Sequence, residues 1–113
     1  MSYTEIFKLK KMLEEADIPF EFTDRNHGFD EFFFESYQFE YPCSYKNKDN
    51  ERICSIVEGY GTYGNDKDLL EIMGLLTPEE IESDSVCGWL TAENVFERIK
   101  KHYEQRSDNN VLL

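Results

Sequence analysis

The segment from Asp66 to Tyr103 constrains this chain most, because it combines apolar residues at helical spacing with the densest acidity in the molecule. Leu69, Ile72, Met73 and Leu76 recur at i, i+3, i+4 and i+7, which lays one apolar stripe along a helix with Asp68 and Glu71 at its edge. Gly74 interrupts the pattern as a cap or bend, since glycine tolerates positive φ. Thr77-Pro78-Glu79-Glu80 reads as the start of a short second helix: Thr at the N-cap, Pro at the first helical position, acids beside the positive end of the dipole. Ser85 to Leu90 breaks the helical period, and Thr91 then caps a last helix whose buried stripe is Val95, Phe96, Ile99 and Tyr103. Trp89, the only tryptophan, stands just ahead of that cap. There it is expected to pack back on the helix as a hydrophobic staple does, the alternative being an exposed anchor for a partner.

Earlier in the chain, Thr4 is placed to cap a first helix with Ile6, Leu9, Leu13 and Ala16 facing inward and a lysine-rich solvent face, ended by Pro19. Phe20-Glu21-Phe22 alternates as a short strand, and Asp24 to Gly28 reads as a turn. Tyr37, Phe39 and Tyr41 share one face of a second strand that Pro42 stops. The loop Lys46 to Glu51 leads to a β-branched third strand, Arg52 to Glu58, so the two long strands form an antiparallel hairpin. Phe32, Phe33 and Phe34 cannot all point inward from one strand, and an exposed member would mark a contact surface.

These elements predict an α+β fold in the order α-β-β-β-α-α-α, with a two- or three-stranded antiparallel sheet packed by the N-terminal helix and a C-terminal helical half. Residues 1–105 form a single domain and residues 106–113 a frayed tail, because the period is lost after Tyr103. The expected buried set is Leu9, Leu13, Phe39, Ile56, Leu69, Ile72, Met73, Val95, Phe96 and Ile99.

Charge narrows function further. The net charge is −12, and Asp66 to Glu97 holds nine acids against one base. Such a surface repels nucleic acid and anionic membrane and attracts basic proteins, over a range of about 8 to 10 Å in physiological salt. Cys43, Cys54 and Cys87 are too far apart for a Cys-x-x-Cys motif, and no long apolar run accompanies them, which fits a cytoplasmic protein with reduced thiols.

Catalytic and ligand motifs are weak. The Gly59-to-Gly64 run, GYGTYG, lacks the Lys-Ser/Thr of a phosphate loop and is followed by Asp66 and Asp68, which would repel phosphate. Asp24, Asn26 and Gly28 with Glu35 echo a calcium loop, but Phe29 stands where glycine is needed. His27 and His102 have no cysteine or carboxylate at ligand spacing. No metal, no cofactor and no catalytic residue is expected, and a small enzyme is the weakest of the functional readings.

The acidic segment is the stronger feature: Asp66, Asp68, Glu71, Glu79, Glu80, Glu82 and Asp84, with Trp89, are the expected partner-binding residues, the carboxylates imitating the phosphate charges of a duplex, the alternative being a merely solvated surface. The stretch DLLEIMGLLTPEEIESDSVCGWLTAENVFERIKKHY, with LKKMLEEADIPFEF near the start, resembles small acidic proteins encoded by phages and prophages of low-GC Gram-positive bacteria. The resemblance implies a mobile-element context in which such proteins inhibit host restriction or CRISPR enzymes; it implies no activity or site residue. The expectation is therefore a non-catalytic interaction protein that occupies a basic site on a host nucleic-acid enzyme, without binding nucleic acid directly. The alternative is a phage accessory or structural protein acting through an apolar self-association surface.

Overall fold

The computed structural model describes residues 3–24, 36–44, 46, 52–59 and 62–112, with side chains as far as Arg106. His27, the Phe32 to Phe34 run, and most of the calcium-like and Lys46-to-Glu51 segments lie outside the described residues. The chain is an α+β fold ordered α1 (Thr4–Glu15), β1 (Glu21–Asp24), β2 (Ser36–Tyr41), β3 (Cys54–Gly59), a 3-10 turn (Asn65–Lys67), β4 (Leu70–Met73), α2 (Pro78–Ser83), β5 (Val86–Leu90) and α3 (Ala92–Leu112). The sheet has five antiparallel strands in the order β1-β2-β3-β4-β5. The predicted hairpin is present, with Phe39 opposite Ile56 and Tyr41 opposite Cys54.

The two extra strands correct the helical reading of Asp66 to Leu76 and the count of two or three strands. Leu70 and Ile72 are both fully buried while Met73 is 49% exposed, so the inward residues alternate with period two. In so short an apolar run the helical and strand periods overlap, and the open edge of β3 decides: Ser55, Ile56 and Val57 pair with Met73, Ile72 and Glu71. Gly74, at φ +95°, turns the chain where an added Cβ would lie 2.4 Å from the Ile53 carbonyl oxygen. The Ser85-to-Leu90 segment, which the sequence marks only as a break between helices, supplies β5.

One core joins Ile6, Leu9 and Leu13 of α1, Val95 and Ile99 of α3, and Tyr37, Phe39, Tyr41, Ile56, Leu70 and Ile72 of the sheet. Leu69 and Phe96, both expected to be buried, are only partly covered, and Ala16 is exposed at the end of α1. The predicted caps hold at the two C-terminal helices. Thr77 and Glu80 form a capping box on α2, and the Thr91 hydroxyl accepts from the Asn94 amide of α3. At α1 the cap comes from far away in sequence: Asp68 accepts from the Thr4 amide and hydroxyl and from the Glu5 amide.

Candidate functional site

The acidic segment divides into carboxylates that hold the fold and carboxylates that face water. Asp68 sits at φ +55° at the end of the 3-10 turn, committed to the N-terminus of α1. Burial works to raise its pKa, but hydrogen bonds from Thr4 and the proton of the neighbouring Glu58 outweigh that and lower it. Glu71 accepts from the Tyr63 amide at 2.9 Å. Glu80 takes both prongs of Arg98, at 2.7 and 2.8 Å, while also accepting from the Thr77 amide and the Cys87 thiol. The Arg98 guanidinium accordingly holds the Glu80 carboxyl down at about 2.

Asp66, Glu79, Glu82 and Asp84 are exposed. Of these, Glu79 and Asp84 border a groove of about 470 Å³ together with Glu80, Cys87, Tyr63 and Trp89. The seven predicted acids therefore do not all serve one surface. Asp68 and Glu71 are tied into the scaffold, Glu80 lines the groove with its charge matched by Arg98, and Asp66 and Glu82 are exposed on the 3-10 turn and α2 without lining the groove.

Trp89 is not the core staple expected from its position: it is 55% exposed. Its indole stacks on Tyr63, itself 46% exposed, with ring centroids 5.4 Å apart and planes at 19°. Two glycine-aromatic pairs build this arrangement by letting their backbones cross closely. A Cβ on Gly88 would lie 2.2 Å from the Cβ of Tyr63, and one on Gly64, at φ +103°, would lie 3.0 Å from the Trp89 nitrogen. The Trp89 amide donates to the Tyr63 carbonyl at 3.3 Å, and Trp89 itself adopts φ +57°, where the register between β4 and β5 shifts. A bulky residue in the left-handed region of a strand is unfavourable unless its surroundings impose it. Tyr63 escaped the sequence reading, which weighed its loop only as a phosphate site; the paired signals were an aromatic before Gly64 and another after Gly88, remote in sequence and joined only by the fold.

A second groove, of about 850 Å³, runs between α3 and the segment Leu75 to Pro78. Its rim mixes Glu93 and Glu97 with Arg98 and Lys101, so it has no single sign of charge. His102 lies there with Nδ1 at 2.8 Å from the Tyr41 hydroxyl, and burial lowers the pKa of the imidazole while raising the Tyr41 phenol to about 12. The thiols of Cys43, Cys54 and Cys87 are all raised by burial, Cys54 to about 12, the opposite of thiolate activation. Among the described residues no cluster of His, Cys, Asp or Glu could hold a metal ion, and no helix is long and apolar enough to cross a membrane. Compared with known family models, curated proteins and solved structures, the chain matches none.

Proposed function

We propose that the protein is a non-catalytic acidic interaction protein whose contact surface is centred on Trp89 and Tyr63 and rimmed by Glu79 and Asp84. The observation that carries this reading is the exposed, stacked aromatic pair, held outward by a left-handed tryptophan and two close glycine crossings beside exposed carboxylates. An aromatic anchor inside a charged rim is the usual anatomy of an energetic hot spot, in which the rings supply desolvated contact area and the charges guide encounter. The net charge of −12 favours a basic partner.

The narrower form of the proposal is an inhibitor from a mobile element that occupies the basic nucleic-acid channel of a host restriction or CRISPR-type enzyme in the cytoplasm. Its support is the charge, together with the resemblance to phage and prophage proteins read from the sequence of the first helix and the C-terminal half. The competing reading, an accessory protein that self-associates through apolar contacts, draws on exposed Ile81 and Met73, at 63% and 49%.

The test is capture from Gram-positive host lysate on the immobilised protein, followed by titration of the purified captured partner at rising salt. Affinity should fall as salt rises, fall further in the triple variant Glu79→Gln, Glu82→Gln, Asp84→Asn, and be competed by duplex DNA. Binding that ignores salt and these three substitutions would overturn the proposal. A concentration-dependent dimer that Ile81→Ser abolishes would favour the accessory reading.

A further inference from the structure

We infer that the groove beside Trp89 receives an arginine side chain of the partner, an inference that rests on the partner-binding reading above. The shape of the aromatic pair selects among cations. Tyr63 and Trp89 stack nearly parallel, at 19°, so a cation beside them meets the outer face of a single ring and not the enclosing walls of a cage. A compact ammonium gains most when several ring faces surround it. A guanidinium is planar and weakly hydrated; it lies flat on a single ring while its N–H groups point sideways in a fixed fork toward carboxylates.

The charges around the pair suit that fork. Glu80 is already occupied by Arg98, through two bonds of 2.7 and 2.8 Å, and contributes little free charge. Asp84 accepts from the Ser85 amide through Oδ1, at 2.6 Å, which leaves Oδ2 for a partner. Glu79 is exposed and pairs with no cation among the described residues. Both border the same groove as the two rings, so a guanidinium stacked on the aromatic face has carboxylate acceptors at its edge.

The experiment uses the full chain and two synthetic peptides of equal length and charge, one carrying arginines and the other lysines. Binding is followed by the fluorescence of Trp89, the only tryptophan, and by calorimetry. The arginine peptide should bind about tenfold tighter and perturb the fluorescence. In Trp89→Gly the preference should vanish while weak binding driven by charge persists, and Trp89→Phe should restore part of it. Glu79→Gln with Asp84→Asn should weaken both peptides. Equal affinities, or a preference retained in Trp89→Gly, would overturn the arginine inference and leave the basic-partner reading standing. If neither peptide bound, even at low salt, both would fall.

Discussion

Arg98 closes a two-pronged ion pair on Glu80, with nitrogen-to-oxygen distances of 2.7 and 2.8 Å, and so fastens the short helix α2 to the long helix α3. The same guanidinium reaches the Leu75 carbonyl at 3.0 Å and Asn94 at 2.7 Å. A helix of six residues has little stability of its own, so this pair and the capping box hold the acidic rim of the groove in place.

Substituting Glu80→Gln or Arg98→Met should each cost about 1 to 3 kcal/mol in urea denaturation, and the double variant should cost much less than their sum. The pH dependence follows in sign. Glu80 titrates at about 2 in the folded protein, below its usual value of 4.5, so its contribution is present above about pH 4.5 and lost as pH falls toward 2. Additive single-variant losses would show that the pair does not act as a unit.

Glu58 should produce the opposite slope. Its side chain is fully buried, and burial, the hydrogen bond its proton gives to Asp68, and the nearby charges of Asp68 and Glu5 raise its pKa from 4.5 to about 9. The folded state therefore keeps a proton that the unfolded chain releases, and stability falls as pH rises from about 4.5 through 9. Replacement by the neutral Gln should remove this slope, leaving Glu58→Gln more stable than the wild type by more than about 1 kcal/mol near pH 8. A parallel pair of pH profiles would contradict a protonated Glu58.

Strand β4 gives a mutational contrast that a helix would not. Ile72→Ala should cost about 2 to 5 kcal/mol, as a core truncation does, whereas Met73→Ser, next door and facing water, should cost well under about 1 kcal/mol. Comparable losses at both positions would restore the helical stripe.

The same segment shows what a sequence can carry. Pro78, Thr77 and Thr91 announce helix starts through local chemistry, and Val95 with Ile99 keeps a helical period long enough to be unambiguous, so α2 and α3 were legible. Leu69 to Leu76 satisfied two periods at once, and its choice of strand depends on the edge of β3, which lies more than ten residues away in the chain. The acidic patch was legible as charge but not as a surface, because the sequence does not reveal that Asp68 caps α1 or that Glu80 meets Arg98. Trp89 was misplaced for the same reason: its exposure results from Gly88 and Tyr63 crossing, a contact between residues far apart in sequence.

If Trp89 serves binding and not packing, replacing it by the residue best suited to its backbone should do no harm to the fold. Trp89→Gly relieves the left-handed conformation, a cost of about 1 to 2 kcal/mol for a residue with a Cβ, and loses only a half-exposed ring. The thermal midpoint should stay level or rise. A drop of several degrees, corresponding to about 1 kcal/mol or more, would assign Trp89 to the core after all.

The most direct test of the partner surface is a nitrogen-15 correlation spectrum of the labelled protein, recorded as the captured basic partner is added. The indole N–H of Trp89 gives a single resolved side-chain signal, and the amides of Tyr63, Glu79, Asp84 and Gly88 map its surroundings. These signals should shift or broaden first and together, while those of the α3 groove around Lys101 and Gln105 stay in place. Changes confined to the α3 groove, with the Trp89 indole unmoved at saturation, would contradict the account.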